Sequence, residues 1–234
     1  MERIYTIPVN EAFDASREEP SCGCPLCALY RKLEEDELEL ILGGAMMEPD
    51  IRIKTNERGF CGTHADKLFA KKNRLGLALI FESHLAEVKE NVTAGKMTDL
   101  FGAPGERIAA RIGRQERSCY LCDRIEHHFT CMISTAVLLF GEDENFRKKL
   151  AAQPFFCLPH AARLLSCGAR ELPKKQAAAM QDAVMGCVRN YLDALSGDVS
   201  WFCKKFDYRF DAEPWGNSKD SVERAIRFLC GEER

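Results

Sequence analysis

Apolar residues recur at helical spacing along most of the chain. Leu121, Ile125, Phe129, Met132, Ala136 and Leu139 or Phe140 fall three or four apart and form one stripe on a helix. Leu26, Leu29, Tyr30, Leu33, Leu40 and Ile41 repeat the arrangement less regularly. Gly43-Gly44 and Gly141 supply the stops of these two helices. Shorter helices are predicted over Ala65 to Lys72 and Ala161 to Cys167, and longer ones over Leu75 to Val92 and Lys175 to Leu195, the last halted by Ser196-Gly197. Asp220 and Glu223 make a capping-box start for a final helix, Ser221 to Leu229, ended by Gly231. The predicted fold class is mainly α.

The two stripes belong to an internal duplication. Cys24-Pro-Leu-Cys27 is followed by Cys61-Gly-Thr-His64, and Cys119-Tyr-Leu-Cys122 by Cys157-Leu-Pro-His160. CxxC and CxxH thus occur twice in the same order, the copies offset by 95 residues at CxxC and 96 at CxxH, with Phe60 or Phe156 before the third cysteine. The expected organisation is a first helical repeat over 1–94, a Gly- and Pro-bearing linker over 95–105, a second repeat over 106–197, and an aromatic segment over 198–234 packed on the repeats.

Composition changes the reading of the cysteines. The chain has 234 residues, 46% of them hydrophobic, and a formal charge of −3, which exclude intrinsic disorder. The longest uncharged, largely apolar run, Met132 to Phe140, is far short of the ~20 residues that span a bilayer, and the Met1-Glu2-Arg3 start opens no secretory signal. The expectation is a cytoplasmic protein. Twelve cysteines in a reducing compartment point to metal ligation or thiol chemistry instead of disulfides.

Pro25 directly follows Cys24 and Pro159 lies two after Cys157, placing the ligand pairs in the first turns of helices. A second ligand three residues on returns to nearly the same face, so each CxxC or CxxH directs two donors at one point. In sequence order the sets are Cys24, Cys27, Cys61 and His64, then Cys119, Cys122, Cys157 and His160. Three thiolates and a neutral imidazole around a divalent cation leave a charge of about −1, which helix N-termini stabilise. A closed Cys₃His tetrahedron is a structural zinc set with no position for an activating water, so two zinc ions per chain are expected, with an iron–sulfur centre as the alternative. Ala28 and Asp123 follow the CxxC motifs where c-type haem attachment needs histidine.

The other candidates carry less. Cys22 stands beside the first motif as a spare thiol, open to ligand exchange or oxidation. His127 and Cys131 have the i, i+4 spacing of a ligand pair without a counterpart in the first copy, His84 reads as a hydrogen-bonded boundary histidine, and His128 belongs to no motif. The basic stretches Lys67 to Arg74 and Arg107 to Arg117 have few interleaved aromatics and read as solvated helix faces, so nucleic acid is not indicated. Trp201, Phe202, Phe206, Tyr208, Phe210 and Trp215 form an aromatic strip that needs a surface to cover.

The strings TIPVNEAF, CPLC, TNERGFCGTH, NRLGLALIFESHL, WFCKKFDYRF and PWGNSKDSVERAI resemble a family of uncharacterised bacterial proteins classed as a domain of unknown function, over nearly the whole chain. Some members carry the label of ABC transporter substrate-binding protein, so the resemblance implies that role as one alternative. A two-lobed α/β binding protein, however, needs alternating strands and helices. No Ser–His–Asp order, phosphate-binding glycine loop or HExxH is present, so catalysis is not supported. The residues themselves point to a structural zinc protein acting as a binding or scaffold module for a protein or small-molecule partner, with a redox-responsive zinc-thiolate switch as the rival.

Overall fold

The structure, a computed structural model, describes residues 3–93 and 104–232, and among these it contains eleven α-helices and no strand. They are α1 (Thr6–Glu18), α2 (Pro25–Leu42), α3 (Pro49–Arg58), α4 (Gly62–Ala70), α5 (Arg74–Thr93), α6 (Pro104–Arg117), α7 (Tyr120–Glu142), α8 (Glu144–Ala151), α9 (Leu158–Glu171), α10 (Lys174–Lys204) and α11 (Ser221–Cys230). The mainly α expectation holds. Of the expected linker 95–105, all but the last two residues lie outside the described residues, and those two open α6. None of the described helices is long and apolar enough to cross a membrane.

The chain divides into two compact units, Met1–Arg31 with Phe129–Arg234, and Lys32–His128. In the first, the core forms where the apolar faces of α1, α8, α9 and α10 meet. Phe13 packs on Phe146 at 5.0 Å between ring centroids and on Phe156 at 6.1 Å, all three fully buried. Burying each such ring is worth about 1.5–3 kcal/mol. The Gln153 side chain donates to the Phe13 carbonyl at 2.8 Å, tying α1 to the segment that leads into Cys157. In the second unit, Ile41, Leu68 and Ile80 are buried from α2, α4 and α5. His84 donates from Nδ1 to the Asn56 carbonyl at 2.8 Å, the boundary role expected of it.

Two local expectations are corrected. Ser196-Gly197 does not end a helix, because α10 continues to Lys204. A glycine in a helix interior costs only about 1 kcal/mol, and α10 packs on α11 with Leu195 buried on its inner face, which outweighs that cost. Asp220 makes no capping hydrogen bond; its carboxylate instead accepts from Arg224 Nε at 2.9 Å. In the C-terminal segment, Lys205 is buried, and its ammonium donates to the carbonyls of Phe210, Asp211 and Glu213 at 2.5, 3.0 and 2.8 Å. Phe228 is buried against Tyr191, whereas Phe206 and Tyr208 are 75% and 83% exposed.

Candidate metal centres

All four ligand pairs occupy helix starts, as the prolines predict. Pro25 begins α2 just after Cys24, and Tyr120 begins α7 just after Cys119. Cys61 and Cys157 are the N-cap residues of α4 and α9 in extended conformation, and neither side chain caps its own helix. The sulfurs are turned instead toward a histidine nitrogen three residues on: Cys61 Sγ lies 3.3 Å from His64 Nδ1, and Cys157 Sγ lies 3.2 Å from His160 Nδ1.

The eight residues form two groups of four, and within each the donor atoms lie within 4.8 Å of one another. The groups are not the ones that sequence order suggests. Cys24 and Cys27 join Cys157 and His160, while Cys119 and Cys122 join Cys61 and His64. Each CxxC is therefore completed by the CxxH of the other copy, a correction to the expected sets. The helix lengths of the two copies run in parallel. In the first copy the 18-residue α2, about 27 Å long, is followed by the 10-residue α3, about 15 Å long. The second copy repeats this with a 23-residue α7 and an 8-residue α8.

The first centre is closed off from solvent. Cys24, Cys27, Cys157 and His160 are each no more than 1% exposed. His160 Nδ1 lies 3.7 Å from Cys24 Sγ and 3.4 Å from Cys27 Sγ, and Cys27 and Cys157 sulfurs are 3.7 Å apart. The Phe129 ring meets the His160 ring edge-on at 5.2 Å, and the Arg163 guanidinium lies 4.7 Å from the Phe129 centroid. On another side the chain turns at Gly231, where a Cβ would sit 3.7 Å from Cys157 Sγ, and Glu232 ion-pairs with Arg31.

The second centre is open. His64 and Cys119 are buried, Cys61 is half-buried and Cys122 is exposed. His64 Nδ1 is 3.4 Å from Cys119 Sγ and 3.3 Å from Cys122 Sγ, and Cys61 and Cys122 sulfurs are 3.8 Å apart. Three contacts fasten the two ligand segments together: Tyr120 N–H donates to the Gly59 carbonyl at 3.0 Å, Ser118 hydroxyl to the Arg58 carbonyl at 2.6 Å, and Arg58 pairs with Asp123 at 2.9 Å. Gly59 supports this approach at φ +63, a conformation that suits glycine. Nδ1 of His64 faces the sulfurs, and Nε2 on the other edge of the ring lies 3.2 Å from Glu34 Oε1. Lys67 Nζ holds both Glu34 oxygens at 2.6 Å.

These clusters suit a cation. Burial and the neighbouring Cys119 and Cys61 thiols push the Cys122 thiol well above its usual range, and burial raises Cys119. At Cys27 the hydrogen bond with Cys157 pulls down, but contact with Cys24 and burial outweigh it and raise the thiol. Burial holds His64 below the usual histidine range, against the pull of Glu34, which keeps the imidazole neutral as a metal ligand needs. A divalent cation held by either group would remove the mutual repulsion of its three thiolates.

Four residues around the ligands escape a search for metal motifs: Glu34, Lys67, Phe129 and Arg163. The repeat offsets identify them as two matched pairs, since Glu34 and Phe129 are 95 apart and Lys67 and Arg163 are 96 apart. Cys22 belongs to neither group of four, and His127 and Cys131 take part in none among the described residues.

The chain belongs to the family described as "Family of unknown function (DUF6062)", whose profile matches residues 1–234. No curated protein and no solved structure matches it.

Proposed function

We propose that this member of the DUF6062 family holds one zinc ion in each Cys₃His group and serves as a structural zinc protein, a binding or scaffold module whose helices are fixed by the metals. The observation that carries this reading is the convergence of four donors from two distant chain segments, twice. A tetrahedral zinc with ~2.3 Å bonds to sulfur sets its sulfurs ~3.8 Å apart. The Cys27–Cys157 and Cys61–Cys122 separations are 3.7 and 3.8 Å, whereas an iron–sulfur cluster interposes its own atoms and spreads its ligands farther. Three cysteines and a histidine fill a tetrahedron, which speaks for structure over hydrolysis.

All twelve cysteines are free, consistent with a reducing compartment such as the cytoplasm. A transporter substrate-binding role would need a sheet-based two-lobed body, and the described residues are helical. Native mass spectrometry of protein purified without added metal tests the reading. Two zinc ions per chain are expected; a metal-free chain that takes up no zinc under reducing conditions would contradict it.

A further inference from the structure

The two groups have the same ligand types and opposite access to solvent. Cys24, Cys27, Cys157 and His160 are sealed, whereas Cys122 is exposed and Cys61 half-buried, with their sulfurs 3.8 Å apart. A bound metal would hold both sulfurs as thiolates, whereas the exposed Cys203 and Cys230 belong to neither group. Thiolate character and exposure together decide which cysteine a peroxide reaches first. Only the second group combines them.

Resting on the two-zinc reading above, we propose that Cys122 and Cys61 form a modification site for hydroperoxides, at which oxidation releases one of the two metals and leaves the other in place. In the first step the Cys122 thiolate attacks one peroxide oxygen: an S–O bond forms, the O–O bond breaks, and the departing hydroxide takes a proton from solvent to give water. Cys122 is oxidised to the sulfenic acid and the peroxide is reduced. In the second step Cys61 Sγ attacks that sulfur: an S–S bond forms, the S–O bond breaks, and the hydroxyl leaves as a second water after protonation. Two thiolates, one hydrogen peroxide and two protons give one disulfide and two waters. With that disulfide formed, only Cys119 and His64 would remain to hold the ion, too few to retain it. The sulfurs must close from 3.8 Å to ~2.05 Å; Cys61 is the N-cap of α4 and Cys122 lies in the first turn of α7. Thiol reductants with added zinc reverse the process.

The experiment titrates the metal-loaded full chain with hydrogen peroxide in the presence of a chromogenic zinc chelator and maps disulfides by peptide mass spectrometry. Release of one ion per chain, with a Cys61–Cys122 disulfide and the second ion retained, is the expected result. The Cys203→Ser/Cys230→Ser variant, whose folding is checked by circular dichroism, should release one ion as the parent does. Release of both ions at equal rates, or a disulfide confined to other cysteines, overturns this inference and leaves the two-zinc reading standing. A chain that binds no metal before peroxide is added overturns both.

Discussion

The Glu34 carboxylate faces the His64 imidazole at 3.2 Å, and the equivalent place in the other centre is taken by Phe129, whose ring meets His160 edge-on. One duplicated position thus gives one histidine a charged neighbour and the other an apolar one. The partners follow suit: Lys67 neutralises Glu34, and Arg163 lies over the Phe129 ring. The outer contacts of the two centres have diverged while their ligands have not.

A carboxylate beside the free nitrogen of a ligating histidine fixes the ring and raises its basicity. Glu34→Ala should weaken zinc binding at the open centre about 10–100-fold and leave the closed centre unchanged. Chelator competition, which resolves the two ions by affinity, measures this; an equal loss at both centres would show that Glu34 acts on the fold instead of on His64.

Removing a histidine ligand should cost more than about 4 kcal/mol, the range that the loss of a bound metal reaches. His64→Ala and His160→Ala should each lose one zinc and melt well below the parent. His128, which lies 3.7 Å from Glu37 and belongs to neither group, is the control, and His128→Ala should keep both ions. Melting temperatures and zinc content measured together separate ligand loss from general destabilisation.

The metal-loaded and stripped proteins should respond to pH with opposite sign. In the stripped protein, Cys27, Cys119 and Cys122 have raised pKa values, so their contribution is present below the unfolded thiol pKa of about 8.5 and is lost as pH rises through the folded values. In the loaded protein the same sulfurs are bound as thiolates, so stability is lost as acid protonates them and expels zinc. Cys167, raised to about 11 by burial and Glu171, weakens both forms equally at alkaline pH. Melting curves from pH 5 to 10 with and without chelator should coincide in acid, where zinc is expelled, and separate as pH rises; curves that coincide at every pH would mean that the thiols do not bind metal.

Much of this was legible from spacing alone. The two apolar stripes, the positions of Pro25 and Pro159 and the doubled CxxC/CxxH identify the long helices and all eight residues of the two Cys/His clusters without a structure. The partnering was hidden because matched sequence spacing says nothing about where a chain goes after a helix. Only the grouping of the donor atoms shows it, and α3 and α8, which intervene between CxxC and CxxH, carry too few apolar positions to be predicted. The continuation of α10 past Gly197 was hidden for a related reason, since its stabilisation comes from contact with α11, a tertiary effect.

The C-terminal residues cover the closed centre, with Gly231 against Cys157 and Phe228 seated by Tyr191. Deleting residues 221–234 should therefore open that centre. Its zinc should become extractable by a chelator at a rate approaching that of the open centre, and the protein should expose apolar surface and aggregate more readily. Unchanged extraction would show that the closed centre is shielded by other elements.

The exchanged partnering is tested most directly by counting zinc in two double variants by native mass spectrometry. Cys24→Ser/Cys157→Ser removes two ligands from one group and should retain one zinc per chain, whereas Cys24→Ser/Cys61→Ser damages both groups and should retain none. The reverse result, with the Cys24/Cys61 variant keeping one ion and the Cys24/Cys157 variant keeping none, would mean that each repeat closes on its own ligands and would contradict this account.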